Sequence, residues 1–310
     1  MKHEVAGDPV SGCKWSRKST YKIARQFRRM NVGVCASTVG RLLKAQRFSL
    51  RTNRKNIEST SGKKHDAERR NRQFLYIGKQ RRAYEAKGLP ILSIDTKSRE
   101  LIGRFYQDGR RWSRELIEVL DHDFPSQARG IGISYGIFDT ARNQGFVCVG
   151  TSCDTSEFAV DSISSWWLQV GSRAYPQADE ILLLADGGGS NSHRNRLWKQ
   201  QLQEKLCDRL GLKVRVCHYP PGASKWNPIE HRLFSFISIN WAGQPLESYS
   251  TMLNFIRTTK TEQGLQVRAL LNQNHYTKGI KVTDEQMDQI RLKRARVNPE
   301  WNYSIVPAKW

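Results

Sequence analysis

Three acidic residues of this 310-residue chain have the type and the setting needed to bind metal ions: Asp95, Asp186 and Glu230. Asp95 and Asp186 each end a short apolar run that indicates a buried strand, whereas Glu230 lies just inside a predicted helix start. Carboxylates at the carboxyl ends of such strands point into the crevice where α/β sheets bind ligands. Three of them suit Mg²⁺ or Mn²⁺, and a pair of these ions can clamp the attacking and leaving oxygens of a phosphodiester displacement.

Each acid taken alone also has a commonplace explanation. An aspartate that closes a strand is often a turn former, and Asp186 precedes a glycine, as turns favour. Asn227 is a good helix N-cap and Pro228 a favoured first helical residue, so Glu230 falls at the capping-box position. The run 187–191 lacks the Gly-Lys-Ser/Thr of a P-loop, so we expect its glycines to let a substrate approach Asp186 closely.

The charge balance of the chain points to a polyanionic partner. There are 51 Lys and Arg against 29 Asp and Glu, which gives a net charge of +22. Such a field attracts nucleic acid or an anionic membrane, but the chain has neither a run of about 20 apolar residues nor a signal peptide. Six scattered cysteines without a Cys-x-x-Cys pair argue against a zinc site and favour a reducing cytoplasm. We therefore expect a cytoplasmic, nucleoid-associated bacterial protein that binds nucleic acid.

The apolar spacing in residues 17–50 predicts two helices around a tight turn. Arg41 and Lys44 would face outward on the second helix. This layout fits a helix-turn-helix that binds DNA, or any small helical hairpin; the spacing does not separate the two, and the positive charge favours DNA. The side chains expected to face inward on the second helix are Val39, Leu42 and Leu43.

Composition divides the chain into four segments. They are a helix-turn-helix segment at 1–60, a basic helical linker at 61–90, a catalytic domain at 91–245 and a helical basic C-terminal extension at 246–310. Phosphate contacts would be mostly blind to sequence and weakened by salt. The residues expected to make DNA contacts are Arg41, Lys44, Arg51, Arg54, Lys55, Arg194 and Lys225.

The pattern from residue 91 onward predicts a mixed α/β sheet. Strands at 91–95 and 101–106 and a hairpin over 134–149 precede an alternation of helix and strand. The later elements are helix 157–171, strand 181–185, helix 193–210, strand 213–217 and a helix from 228. This is the order expected for a ribonuclease-H-like nucleotidyltransferase core.

Two further groups invite a functional interpretation that the local pattern does not favour. Asp121-His122-Asp123 has the composition of a metal cluster, but it lies in a predicted loop, where adjacent side chains diverge. Trp166-Trp167 could stack on bases, but core packing is the better expectation for a pair inside an apolar helix.

Several motifs are more particular than isolated acids. They are Ser93-Ile94-Asp95-Thr96-Lys97, Tyr135-Gly136-Ile137-Phe138-Asp139, Ala185-Asp186-Gly187-Gly188-Gly189-Ser190-Asn191, Arg194-Asn195-Arg196-Leu197-Trp198 and the run from His218 through Asn227-Pro228-Ile229-Glu230 to Phe234. Together they resemble the blocks of a bacterial insertion-sequence family, the DDE group often labelled Rhodopirellula-type transposases, over roughly residues 6–305. The Asn-Pro-Ile-Glu turn is also similar to that of mariner-like transposases.

The resemblance implies a DNA transposase in which Asp95, Asp186 and Glu230 form the metal-binding DDE triad. It implies metal-dependent strand nicking and strand transfer with two Mg²⁺ or Mn²⁺ ions, and a homo-oligomer on the terminal repeats and target DNA. Residues 104–130 match poorly, and family members usually carry a further N-terminal segment, so we expect a clipped start. Two alternatives stay open: an inactive, transposase-derived DNA-binding protein and a ribonuclease-H-type nuclease.

Overall fold

The computed structural model describes residues 5–7, 14–16, 18–48 and 64–308 of the chain. The chain divides into two compact units, Met1–Ile57 and Glu58–Trp310. Arg51, Arg54 and Lys55, which we predicted to contact DNA, lie outside the described residues.

The first unit contains two short strands and two helices. Strands β1 (Val5–Gly7) and β2 (Lys14–Ser16) pair antiparallel, and helices α1 (Thr20–Arg29) and α2 (Ala36–Ala45) follow. The Cys35 sulfur accepts a hydrogen bond from the Thr38 N–H at 3.4 Å and so caps the start of α2.

The two helices of this unit pack through a small apolar core of Ile23, Ala24 and Val39. Leu42 was expected to face inward, but half of its surface (50%) is exposed, because two short helices offer too little surface to cover it. Arg41 and Lys44 are exposed, as predicted. The helical hairpin is therefore present at the predicted place, while its binding of DNA stays a prediction.

The second unit is an α/β sheet flanked by helices. Its strands are β3 (Ile91–Thr96), β4 (Glu100–Ile102), β5 (Gly130–Asp139), β6 (Gln144–Gly150), β7 (Glu180–Ala185), β8 (Lys213–His218), β9 (Gln266–Asn272), β10 (Leu292–Arg294) and β11 (Asn302–Ile305). Its α-helices are α3 (Lys64–Ala86), α4 (Ser156–Trp166), α5 (Ser172–Ala174), α6 (Arg196–Gln201), α7 (Ser235–Asn240), α8 (Tyr249–Thr258) and α9 (Asp284–Asp288). Wider π-helical turns at Trp167–Gly171, Leu202–Asp208 and Glu230–Phe234 adjoin α4, α6 and α7.

The sheet has the strand order β10-β11-β8-β7-β3-β5-β6-β9, and β4 pairs with β5 beside this path. Strand β7 runs parallel to both β3 and β8, whereas β5 is antiparallel to β3 and β6. The central run β6-β5-β3-β7-β8 is the mixed sheet predicted for a ribonuclease-H-like core, so the expected fold class is confirmed.

Apolar side chains cover both faces of the central strands, which explains their continuous apolar sequence. On one face, Ile77 and Tyr84 of α3 pack against Ile91 of β3 and Leu182 of β7. On the other face, α4 and α6 meet the sheet in the largest core cluster. Trp166 and Trp167 belong to that cluster and are buried, as expected for core residues.

Three predictions about this unit were wrong. The stretch 246–310 is not a helical extension: β9 pairs with β6, and β10 and β11 extend the other edge beyond β8. Helix α3 is not a linker, since it packs on β3 and β7 within the second unit. The strand expected at 101–106 pairs with β5 but ends at Ile102, because Gly103 adopts a positive φ of 148° that turns the chain away.

No helix among the described residues is both long and apolar enough to span a membrane.

Candidate active site

The ends of two neighbouring parallel strands bring the first two acids together. Ile94 of β3 lies opposite Ala185 of β7. Asp95 is the next residue of β3, and Asp186 directly follows β7. Both carboxylates therefore leave the sheet at the same edge, which is the edge where α/β sheets bind ligands.

A buried polar contact ties the helix start before Glu230 to strand β3. The Ser93 hydroxyl donates to Asn227 Oδ1 and accepts the Ile229 N–H at 3.0 Å, while Asn227 Nδ2 donates to the Ile94 carbonyl at 3.3 Å. The Asn227 side chain thus faces the strand instead of capping the helix. Consequently Glu230 takes no part in a capping box, and the commonplace explanation for this acid does not hold.

Both of the other acids affect the pKa of Asp95. Burial raises the pKa of Asp95 to about 8, and the nearby charge of Asp186 and a hydrogen bond with Glu230 add to the rise against the opposing Thr96 N–H bond. Burial also raises the pKa of Asp186, opposed by the Gly188 N–H. The site therefore concentrates negative charge that favours a proton or a cation beside Asp95.

The donor set suits a hard divalent cation, because it consists of carboxylate oxygens. The neighbouring cation Lys97 is paired with Glu100 at 2.7 Å, and its amino group lies 4.5 Å from the centre of the Trp241 ring. As the side chains stand, no three His, Cys, Asp or Glu residues in the described part of the chain are grouped closely enough to hold a metal ion. Metal binding would therefore require these side chains to move closer together.

The glycine-rich loop after Asp186 forms one wall of a cleft of about 320 Å³ that Asp95 also lines. Two hydrogen bonds from buried residues hold the loop in place. The Tyr135 hydroxyl donates to Asn191 Oδ1, and the Ser156 hydroxyl donates to the Ser190 carbonyl, each at 2.7 Å. These buried partners therefore fix the conformation of the loop. Its glycines place no side chains on the side of the loop that lines the cleft.

Asp154 also lines this cleft, and the sequence did not single it out. Its Oδ1 accepts a hydrogen bond from the Thr96 hydroxyl at 3.3 Å. Thr96 directly follows Asp95 in the chain, so this contact links Asp154 to the strand end that carries Asp95. In the sequence Asp154 looks like an ordinary loop acid before α4. Only the packing of α4 against β5 brings it here.

A chain of buried hydrogen bonds supports the backbone of Asp186. Trp198 Nε1 donates to the Tyr303 hydroxyl at 3.0 Å, Tyr303 lies 3.1 Å from His218 Nε2, and His218 Nδ1 lies 2.9 Å from the Asp186 carbonyl. A carbonyl only accepts, so Nδ1 carries the proton and Nε2 accepts from Tyr303. Burial lowers the pKa of His218 to about 3, so the ring is neutral.

Two of the residues predicted to contact DNA, Lys225 and Arg194, do not line this cleft. Lys225 is exposed on the turn before the Glu230 helix, with its amino group 5.8 Å from the centre of the Trp226 ring. Arg194 is exposed and lines a separate basic cavity. Asp121, His122 and Asp123 are exposed in a loop.

Comparison with known proteins gives one family match and several structural ones. The family model described as "Rhodopirellula transposase DDE domain" matches residues 1–307. The Mos1 transposase paired-end complex with left transposon end matches at 14% identity and a TM-score of 0.45, over 77% of this chain and 65% of that one. A pre-cleavage Mos1 transpososome matches at 13% identity and 0.45, over 77% and 66%.

The Mos1 mariner paired-end complex with Mn matches at 13% identity and a TM-score of 0.44, over 77% of this chain and 65% of that one. The chain thus spans about 65% of the length of the first of these transposase chains. Among proteins with curated functions, none matches the chain at a significant level.

Proposed function

Because this chain belongs to the Rhodopirellula transposase DDE domain family, we propose that it is a DNA transposase that nicks DNA at the ends of an insertion sequence and joins the freed 3′ end to target DNA. What supports this proposal is the position of Asp95 and Asp186 at the ends of the neighbouring parallel strands β3 and β7, with Glu230 near enough to raise the pKa of Asp95. Phosphodiester chemistry at a cluster of carboxylates needs an acidic site and a polyanion-binding surface, and the chain as a whole has a net charge of +22.

Asp95, Asp186 and Glu230 would hold the divalent metal, Mg²⁺ or Mn²⁺, with two ions as the expected number. When bound, such ions lower the pKa of an attacking hydroxyl and stabilise the leaving oxygen of a phosphodiester. The raised pKa of Asp95 supports this assignment, because its carboxylate is buried and also faces the negative charge of Asp186, and a bound cation would offset both effects.

The surrounding residues of the chain would position the acids and the DNA strand. Ser93 and Asn227 fix the helix start before Glu230 to the strand of Asp95. The glycine-rich loop after Asp186 would let a phosphate group approach without side-chain hindrance. Lys225, exposed beside the same helix, would contact the DNA backbone.

We assign the terminal repeats of the element and the target DNA as partners, with copies of the chain assembling on them. The helical hairpin of the first unit would help to bind the element ends through Arg41 and Lys44. An activity on chromosomal DNA would place the protein in the bacterial cytoplasm, at the nucleoid.

The decisive test replaces Asp95 with asparagine, which removes a charged metal ligand at nearly constant volume. Asp95→Asn should reduce Mg²⁺-dependent nicking of a plasmid that carries the element and its flanks by more than about 100-fold, because loss of a metal ligand costs at least as much as loss of a supporting contact. Circular dichroism and melting should show an unchanged fold.

Asp121→Asn, an exposed acid outside the cleft, is the matched control and should nick at the wild-type rate. Equal nicking by both variants would show that Asp95 is not catalytic. Wild-type protein that cleaves only RNA–DNA hybrids would instead be a ribonuclease-H-type nuclease, and one that binds the ends without nicking would be an inactive derivative.

A further inference from the structure

A second cavity, of about 550 Å³, lies in the same unit and carries a strong positive charge. It gathers side chains from α3, the loop after β7, α6, β10 and the turn before β11. Glu300 is the one carboxylate among its lining residues, all of which the structure describes. The charged residues that line it are Arg69, Arg70, Arg194, Lys199, Arg294 and Glu300.

The single acid of this cavity is already matched. Glu300 pairs with Arg69, and the Arg69 guanidinium also lies 4.3 Å from the centre of the Trp301 ring. The ion pair and the aromatic ring hold Arg69 in place. Because the Glu300 carboxylate is paired with Arg69, it does not neutralise the other cations of the cavity. Within the described residues, Arg194, Lys199 and Arg294 form no ion pair with a carboxylate.

Lys199 shows that the cavity is more than a solvated basic face. Only 7% of this side chain is exposed, and it forms no ion pair with a carboxylate among the residues the structure describes. Burial lowers the pKa of Lys199, and the charges of Arg294 and Arg196 lower it further. A buried ammonium that faces other cations is costly unless an anion joins it.

The cavity adjoins the loop that carries Asp186. The His193 ring lies where its Nδ1 would be 3.6 Å from a Cβ placed on Gly187, and its centre is 5.7 Å from that of His218. His218 in turn bonds to the Asp186 carbonyl. Within the described residues, His193 Nδ1 is buried without a hydrogen-bond partner, so it offers a further polar group beside this loop.

We propose that this cavity binds a phosphate group of a DNA strand whose neighbouring segment lies at Asp95 and Asp186. The guanidinium forks of Arg194 and Arg294 and the ammonium of Lys199 match phosphate oxygens, and they outnumber any acid in reach. A volume of about 550 Å³ falls in the range of sites for small ligands, with room for a phosphate and its sugar. The inference rests on the proposed function and adds a strand-anchoring site beside the carboxylates.

The phosphate could be internal to the strand or terminal, and one experiment distinguishes the two. Fluorescent single-stranded 12-mers with a 5′-phosphate or a 5′-hydroxyl are titrated with the full chain at several salt concentrations, in the presence and absence of inorganic phosphate. A terminal phosphate site predicts tighter binding of the phosphorylated strand and competition by inorganic phosphate. An internal site predicts equal binding of both strands.

Arg294→Gln should weaken binding about tenfold, as loss of a charged hydrogen bond implies, and reduce the salt slope by about 0.7 per lost contact. Lys199→Met, which keeps the length of a buried side chain, should act in the same direction, and thermal melting reports its fold. Arg173→Gln removes an equal charge from an exposed site on α5 that does not line the cavity, and should bind almost as wild type.

Equal weakening by Arg294→Gln and Arg173→Gln would overturn the cavity proposal, because the effect would then be one of net charge alone. That result leaves the proposed function standing if Asp95→Asn still abolishes nicking. Cavity-dependent binding by a wild-type protein that never nicks DNA would support the anchoring site and overturn the proposed activity.

Discussion

Ser93 is the residue on which the geometry of the acidic site depends most directly. Its buried hydroxyl bonds both the Asn227 side chain and the Ile229 N–H, so it joins the strand of Asp95 to the helix start before Glu230. A hydroxyl is suited to this position because it donates and accepts at once.

Ser93→Ala should lower the free energy of unfolding by about 1–3 kcal/mol, since it leaves two buried polar groups unpaired. It should also reduce nicking, because the helix start before Glu230 loses its anchor. Ser134→Ala is the matched control: this serine is fully buried on the neighbouring β5, and its hydroxyl has no hydrogen-bond partner among the described residues. Denaturant titration that finds equal losses for both variants would show that the Ser93 contacts contribute nothing specific.

His218 makes the stability of the second unit sensitive to acid. Its pKa is about 3 in the folded chain, against an ordinary value of 6.5. Between these values the unfolded chain binds a proton that the folded chain does not, so folding stability falls as the pH falls from 6.5 toward 3, by up to about 1.4 kcal/mol per pH unit.

His218→Gln keeps a polar side chain at this position and removes the titration. The difference in unfolding free energy between wild type and variant should therefore shrink steadily as the pH is lowered below 6.5. Other acids titrate equally in both proteins and cancel from this difference. A difference that stays constant down to pH 4 would contradict a neutral, buried His218.

At the scale of elements, one glycine sets how closely the Glu230 helix approaches the sheet. Gly136 of β5 lies opposite Asp95 in register. A Cβ at this position would lie 2.5 Å from Phe234 Cε1 and 2.9 Å from Ile229 Cδ1, and both residues belong to the helical segment around Glu230. The absence of a side chain lets that segment rest against the strand beside Asp95.

Gly136→Ala should push the Glu230 segment outward, at a cost of about 1–3 kcal/mol in stability, as overpacking of a core does. Nicking should fall as well, since Glu230 would move away from Asp95. Gly78→Ala in α3 is the control, because its Cβ would meet only the end of Arg82 at 3.6 Å. This change should be neutral or stabilise the chain by about 0.5–1 kcal/mol. Wild-type melting and nicking in Gly136→Ala would refute the close approach.

At the scale of the whole molecule, the chain forms two compact units that have separate cores, and both carry basic residues. In the first unit, Arg41 and Lys44 project from α2, and Arg25 and Arg29 project from α1. The two pairs carry equal charge. Replacing each pair in turn therefore separates recognition of DNA by α2 from attraction of DNA through charge alone.

Arg41→Ala/Lys44→Ala should reduce binding of terminal-repeat DNA more than Arg25→Ala/Arg29→Ala does. Loss of base contacts would lower discrimination against a scrambled duplex by about 1–3 kcal/mol per bidentate pair, whereas loss of phosphate contacts would flatten the salt slope by about one unit each. Gel-shift titrations with both duplexes over a range of salt measure the two effects. Equal losses in the two double variants would show that this unit attracts DNA only by its charge.

Local patterns in the sequence determined most of the central sheet. The apolar runs at Ile91–Thr96 and Glu180–Ala185 are strands, and Asp95 and Asp186 end up where strand ends predict. These features follow from periodicity and turn residues within a few positions of each other, which is the range over which a sequence pattern carries information.

Only the tertiary structure decided which of these ends meet and what holds them. The register that sets Ile94 opposite Ala185, the Ser93–Asn227 contact and the place of Asp154 all join residues more than fifty positions apart. The strands of 246–310 were missed for the same reason, since β9 and β11 are stabilised by partner strands that are remote in sequence. Asn227 has the local pattern of a helix cap, but burial against β3 gives its amide better partners than the helix N-terminus offers, so the long-range contact prevails.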